Sequence, residues 1–233
     1  MSARFEELDF QPTSMGDLTR RRRVEPTLGV DVFEVKLGEE FLMSSLFTVA
    51  EEELANLGLA AVEGTDLDVL VGGLGLGYTA VAALADSRVR SLTVIDTLPS
   101  VIDWHRRRLL PVSAALKEDS RTALVLDDFF GLMRRAPDAA SARYAILLDV
   151  DRSPRHQLDP SHADLYTVGE MHAVSLHLKP DGVFALWSDD PPDGEFLARA
   201  SGVFAAVKAH VVDFDNPLTG GISSNTVNVA TQR

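Results

Sequence analysis

The 233-residue chain has no cysteine and no long apolar run. The absence of cysteine excludes disulfide bonds, thiolate metal ligands and a cysteine nucleophile, and it fits a cytoplasmic protein. No apolar run approaches the roughly 20 residues that span a bilayer, so no membrane partner is expected. The histidines and carboxylates show no metal-site spacing, so no metal is predicted.

The chain also has fewer basic than acidic residues. Lys and Arg number 22 against 35 Asp and Glu, which gives a formal net charge of -13. Such a chain repels a phosphate backbone, so no nucleic-acid partner is expected, and we interpret the basic run Arg20 to Arg23 as a solvated or ion-paired strand. The same field attracts cations and is compatible with a small-molecule amine acceptor.

A glycine-rich turn follows the apolar run Asp68 to Val71. Gly73, Gly75 and Gly77 predict a strand, a tight turn and a helix whose first free amides point at a bound ligand. A dinucleotide fingerprint would need its third glycine where Tyr78 stands. The G-x-G-x-G spacing is instead similar to the first motif of the S-adenosylmethionine-dependent methyltransferase fold, which predicts a nucleoside site.

Acidic residues end the apolar runs that follow this turn. In a parallel sheet the ligand lies at the carboxyl ends of the strands. Asp96, with Thr97 beside it, is therefore the candidate partner of two ribose hydroxyls, the alternative being a helix cap. Asp128 is the candidate partner of the adenine amino group, with the Phe129 ring covering the base. Asp149 ends the fourth run and completes the predicted nucleoside site.

The chain divides near residue 62. Residues 1–61 are predicted to form a small N-terminal β unit and a linking helix, and residues 62–233 an S-adenosylmethionine-binding Rossmann-like domain. The predicted fold class is α/β, a methyltransferase-type Rossmann domain with a seven-stranded, doubly wound mixed sheet. Because the β unit is small and has open edges, a homodimer is expected. The elements predicted with bounds are strands at 18–24, 30–37, 183–187, 207–214 and 226–230, and helices at 47–59, 101–110, 163–178 and 194–206.

From about residue 30 onward the chain resembles the spermidine synthase (polyamine aminopropyltransferase) family. The resemblance is carried by Gly72-Gly73 with Gly77, by the strands ending in Asp96 and Asp149, and by Leu178-Lys-Pro-Asp-Gly-Val-Phe184. It implies a nucleoside site for S-adenosylmethionine or its decarboxylated form as co-substrate, together with a small-molecule acceptor.

The departures from that family fall on its chemistry. Gly75 stands where the family has an acid that binds the aminopropyl ammonium, and Arg152 stands where the family has an Asp that helps to deprotonate the amine. Arg is no base at neutral pH. Asp149 and the neighbouring Asp151 are therefore the candidate catalytic carboxylates. Ala50 to Glu53 replace the Tyr-His-Glu segment that lines the family's amine site.

The sequence thus predicts a transferase with a non-standard catalytic loop. The overall resemblance favours aminopropyl transfer, and the G-x-G-x-G turn favours methyl transfer. The alternative is a non-catalytic nucleoside-binding or regulatory protein. His156 and His162 flank the loop after Asp149 and are further candidates for a general base, whereas His105 is interpreted as structural.

Overall fold

The structure, a computed structural model, describes residues 5–137 and 141–232. Its first four strands form an antiparallel sheet in the order β1-β2-β3-β4. These strands are β1 (Phe5–Thr13), β2 (Gly16–Glu25), β3 (Val30–Leu37) and β4 (Glu40–Ser44). β2 and β3 are the two strands expected from the sequence. β1 and β4 were not predicted, because both are mostly polar or exposed and lack a clear alternation of apolar residues.

The basic run lies on β2, and its side chains alternate between the two faces of this sheet. Arg21 and Arg23 both bind Glu34 on β3, with N–O distances of 2.6 and 2.7 Å. Arg20 points the other way and donates to the carbonyl oxygen of Leu109 at 2.7 Å. Of the two alternatives, a solvated or an ion-paired strand, the structure shows the ion-paired one.

The second sheet has seven strands in the order β10-β11-β9-β8-β5-β6-β7. The five neighbouring strands β9, β8, β5, β6 and β7 run parallel to one another. The hairpin of β10 and β11 is antiparallel and pairs with β9 through β11. The predicted fold class is therefore confirmed. The strands are β5 (Leu67–Gly72), β6 (Val89–Asp96), β7 (Thr122–Leu126), β8 (Arg143–Leu148), β9 (Leu178–Ser188), β10 (Ala206–Asn216) and β11 (Gly221–Thr231). The helices are α1 (Val49–Ala60), α2 (Tyr78–Ala85), α3 (Pro99–Arg106), α4 (Ser113–Glu118), α5 (Phe129–Arg134), α6 (Val168–Leu176), α7 (Gly194–Ser201) and a 3₁₀ helix, Pro160–Tyr166.

Helices cover both faces of this sheet, as the apolar side chains of β5 show. Val69 and Val71 belong to the core under α1 to α4, whereas Leu70 belongs to the core under α5 to α7. α1 packs closely on the sheet, because a Cβ on Gly58 would lie 2.7 Å from Leu147 Cδ2. The boundary near residue 62 stays a prediction. No helix in the described part of the chain is long and apolar enough to cross a membrane.

Three predicted helices are shorter than expected. The helix expected over 163–178 is divided at Thr167, whose backbone is extended and whose hydroxyl caps α6 by accepting from Glu170 N. Strand β9 then begins at Leu178, and Asp181, its fourth residue, has a φ of +60°. The expected helix 101–110 is observed as α3 and ends before Arg108, which also has a positive φ. The expected helix 194–206 ends at Ser201 as α7.

Candidate functional site

A cavity of about 280 Å³ opens at the carboxyl ends of β5 to β8. β5 and β8 lie side by side in the middle of the sheet, although they are far apart in sequence, so the connections after them leave in opposite directions. Such a switch point is where open α/β sheets bind ligands. The opposite wall is apolar and comes mainly from the small sheet and the segment joining β1 to β2, through Met15, Val35, Leu37, Leu42 and Met43.

The first two glycines of the turn shape the cavity because no side chain fits there. Gly73 has a φ of +92°, and a Cβ on it would overlap the carbonyl oxygen of Asp149. Gly75 has a φ of +44°, and its Cβ would overlap the side chain of Met43. Met43 Sδ also accepts a hydrogen bond from Leu76 N at 2.7 Å. A side chain from the small sheet thus occupies the space where an acid at position 75 would lie.

Gly77 has a packing role and does not line the cavity. It precedes α2 with a φ of +92°, and a Cβ there would lie 2.9 Å from His105 Cε1 and 2.8 Å from Leu116 Cδ1. His105 is fully buried, and burial lowers its pKa. Its Nε2 lies 2.8 Å from the carbonyl oxygen of Gly75, so the ring forms a hydrogen bond with the backbone of the glycine turn.

Asp96 binds the turn from the cavity side. One carboxylate oxygen accepts from Leu74 N at 3.0 Å and from Gly75 N at 3.4 Å, and the other accepts from Leu98 N at 2.8 Å. Burial raises the pKa of Asp96, although these three N–H groups favour the charged form. Asp96 lines the cavity with Thr97, which is exposed at the rim. The carboxylate therefore orders the turn and still faces a ligand.

The acid after β7 caps a helix. Asp128 Oδ1 accepts from Phe130 N at 3.0 Å at the start of α5, and Asp128 also lines the cavity. Phe129 is only 4% exposed, and its ring packs under Gly72, where an added Cβ would lie 2.6 Å from Phe129 Cδ2. Phe129 lines the cavity from beneath Gly72, whereas the sequence predicts that its ring covers the base.

A second carboxylate, Glu51, faces the same cavity as Asp149. Glu51 lies in the first turn of α1. Its pKa is raised to about 8, mainly by burial and secondly by the charge of Asp149. Burial raises the pKa of Asp149 to about 6, although the hydrogen bond that Thr79 Oγ1 donates at 2.7 Å opposes this. At neutral pH Asp149 is therefore largely ionised and Glu51 largely protonated, so the pair can accept a proton and holds one that a bound cation can displace.

Arg152 lies at the mouth of this cavity and is held by acids outside it. Its guanidinium is 2.9 Å from Asp189 Oδ2 and 3.9 Å from Glu40 Oε2, and its side chain is half exposed. The hydrogen bond to Asp189 raises the pKa of Arg152. Arg152 is therefore a paired cation at the rim.

Asp151 is 1% exposed and does not line the cavity. Its carboxylate accepts from His162 Nδ1 at 2.7 Å, from Tyr166 Oη at 2.6 Å and from Leu158 N at 2.9 Å. His162 does line the cavity. Asp151 thus reaches the site only through His162, and its expected direct role as a base does not match this placement.

The structure brings most of the predicted site residues together in one cavity and adds two that are not among the predicted ones. Glu51 and Met43 come from elements distant in sequence. The signal for Glu51 was its place in the segment Ala50 to Glu53, which stands where the family has its amine-site segment. Within residues 5–137 and 141–232, no group of three or more His, Asp or Glu side chains is arranged to hold a metal ion. The predicted residues that line the cavity are Gly73, Gly75, Asp96, Thr97, Asp128, Phe129 and Asp149.

Comparisons with solved structures agree with this architecture. A spermidine synthase in complex with the transition-state analogue AdoDATO matches 97% of this chain and 74% of its own, with a TM-score of 0.76 and 19% identity. The spermidine synthase from Thermotoga maritima matches 97% of this chain and 72% of its own, with a TM-score of 0.73 and 18% identity. Neither family models nor curated protein sequences give a match. The chain has the fold of the spermidine synthases.

Proposed function

We propose that the cavity binds S-adenosylmethionine or its decarboxylated form and that the protein transfers an alkyl group from the sulfonium to a small-molecule acceptor. The observation that carries this proposal is one cavity that combines the glycine turn, Asp96 and the Glu51–Asp149 acid pair. The complex of a spermidine synthase with AdoDATO supports the ligand class.

The acid pair favours the decarboxylated nucleoside and therefore aminopropyl transfer. S-adenosylmethionine carries a carboxylate at the end of its side chain, whereas the decarboxylated form ends in an ammonium alone. Glu51 and Asp149 attract the ammonium and repel the carboxylate. A bound ammonium favours the ionised form of Glu51, so on binding Glu51 supplies the negative charge that Gly75 lacks, from a different part of the chain. Methyl transfer from S-adenosylmethionine itself is the second candidate, on the strength of the G-x-G-x-G turn.

In the proposed reaction the acceptor nitrogen attacks the aminopropyl carbon next to sulfur. The new C–N bond forms as the C–S bond breaks, the nucleoside leaves as a neutral thioether, and the acceptor nitrogen loses one proton. Asp149, with a pKa of about 6, is placed in the cavity to accept that proton. Most of the acceleration comes from holding the two reactants in line.

Calorimetry with decarboxylated S-adenosylmethionine, S-adenosylmethionine and methylthioadenosine tests the ligand assignment. We expect the decarboxylated form to bind at least about tenfold more tightly than the carboxylated form, because a like charge beside the pair raises the free energy of binding by roughly 1 to 4 kcal/mol. Glu51→Gln should reduce this preference, and Glu53→Gln on the same helix should retain it. Equal binding of both forms would contradict aminopropyl transfer and leave methyl transfer. Failure of all three ligands to bind would contradict the nucleoside site itself.

The alternative is a protein that binds the nucleoside without turnover, and Arg152 favours it. A guanidinium at the cavity mouth disfavours an incoming ammonium and accepts no proton. We therefore expect spermidine formation from putrescine to remain below roughly 1 s⁻¹, the lower end of ordinary enzyme rates. The assay measures spermidine and methylthioadenosine together. Faster turnover would mean that a carboxylate of the cavity performs the role assigned to the Asp that Arg152 replaces.

A further inference from the structure

The buried carboxylate of Asp151 is completely engaged by hydrogen-bond donors. It accepts from an imidazole, a phenol and a backbone N–H, at 2.7, 2.6 and 2.9 Å. A buried charge is costly unless such partners surround it. The three donors therefore fix the carboxylate, and the carboxylate in turn fixes the orientation of the His162 ring.

This contact also fixes which ring nitrogen of His162 carries hydrogen. A carboxylate accepts hydrogen bonds and cannot donate them, so Nδ1 carries the hydrogen that points at Asp151. In the neutral ring, Nε2 then presents a lone pair. Nε2 makes no hydrogen bond to any residue within 5–137 or 141–232, and the side chain lines the cavity. The cavity thus holds an acceptor without a partner.

The position of the ring indicates which part of a ligand it meets. The His162 ring stacks on Phe130, with centroids 3.7 Å apart and planes 14° apart. Phe130 N in turn donates to Asp128. His162 therefore lies against the start of α5, on the side of the cavity that Asp128 also lines. Under the proposed function, this side receives the nucleobase.

We propose that His162, positioned by Asp151, is a specificity residue that selects adenine by its exocyclic amino group. This inference rests on the proposed nucleoside site. The adenine amino group has two hydrogens to donate, and His162 Nε2 and the Asp128 carboxylate both accept. Hypoxanthine carries an oxygen at that position, so its lone pairs face two further acceptors and no hydrogen bond forms.

Binding of methylthioadenosine and of its hypoxanthine counterpart, methylthioinosine, tests the proposal. We expect the full-length protein to prefer the adenine nucleoside by about tenfold or more, the usual effect of leaving an acceptor unpaired. His162→Phe keeps an aromatic ring against Phe130 but removes one of the two acceptors, so the preference should fall several-fold and only the part due to Asp128 should remain. Tyr166→Phe is the matched control, because it removes a donor from Asp151 and leaves Nε2 unchanged. This variant should retain the preference.

A second variant tests the positioning role of Asp151. In Asp151→Ala the acceptor that holds the ring hydrogen on Nδ1 is removed, so Nε2 can carry the hydrogen and the preference for the adenine nucleoside should fall. Thermal melting identifies variants that fail to fold. Nucleoside binding with an unchanged preference in His162→Phe would overturn the inference and leave the proposed function intact. Lower turnover in that variant, again with unchanged preference, would assign His162 to proton transfer. If neither nucleoside binds the wild-type protein, both proposals are wrong.

Discussion

Replacement of Glu51 by Gln should stabilise the protein at alkaline pH. Burial and the neighbouring Asp149 raise the pKa of Glu51 from 4.5 to about 8. The folded protein therefore keeps this proton over a pH range in which the unfolded chain has lost it. Stability from Glu51 is fully present below pH 4.5 and is lost as pH rises toward 8. Gln carries no titrating proton and removes this dependence.

The magnitude follows from the same two pKa values. Each unit between them corresponds to about 1.4 kcal/mol, so ionised Glu51 lowers the free energy of unfolding by at most roughly 4 to 5 kcal/mol above pH 8. Water entry and movement of the side chain reduce this value. We therefore expect Glu51→Gln to exceed the wild type by about 2 kcal/mol or more at pH 8.5 and to lie within about 1 kcal/mol of it at pH 5.

Urea unfolding of the two proteins across this pH range provides the measurement. Glu53→Gln, on the same helix, should follow the wild-type curve at every pH. Parallel curves for the wild type and Glu51→Gln would refute the reasoning, because they would mean that Glu51 titrates alike in the folded and unfolded states. Calorimetry of the decarboxylated ligand in buffers of different ionisation enthalpy gives an independent measure, since an ammonium bound at pH 7 should displace a proton from the pair.

Three further predictions concern the nucleoside, the sheet and the assembly. Asp96→Ala should weaken binding of S-adenosylhomocysteine by about 1.5 to 3 kcal/mol, the usual loss for a charged hydrogen bond, and tight binding of NAD instead would contradict the site assignment. Burial raises the pKa of Asp68, but hydrogen bonds from Arg90, Ser91 and Lys179 outweigh burial and lower it to about 2. Asp68→Asn should therefore lower the free energy of unfolding by about 2 kcal/mol at pH 7, with the difference fading as pH falls toward 2, as urea titration would show. Light scattering should give a homodimer, and a strict monomer at micromolar concentration would contradict it.

The sequence was most informative where a site is built from residues close together along the chain. The turn from Gly73 to Gly77 follows directly from a strand, three glycines and a helix, and Asp96 follows from the rule that ligands lie at strand ends. Thr167 shows a limit of such patterns. The apolar periodicity continues across it, whereas its hydroxyl caps a new helix and divides the predicted one.

Contacts between elements that are distant along the chain could not be predicted from the sequence. Glu51 is one of three consecutive glutamates, and only the packing of α1 on the large sheet decides which of them faces Asp149. Met43 reaches Gly75 because the small sheet closes the cavity, a contact that no local pattern encodes. Asp151 is predicted from the sequence to act directly as a base. Its burial depends on the chain that follows it, which brings Leu158, His162 and Tyr166 against its carboxylate.

The ion pairs of Arg152 bear on how quickly a ligand enters and leaves. They join the first residue of β4, the loop after β8 and the loop after β9 at the cavity mouth, and all three side chains are about half exposed. Exposed ion pairs contribute only about 0.2 to 1 kcal/mol each, and mobile ions screen them over about 8 Å at physiological ionic strength. The acid pair inside is far less accessible to those ions. Added salt should therefore speed the exchange of ligand across the mouth while changing the final occupancy of the cavity much less.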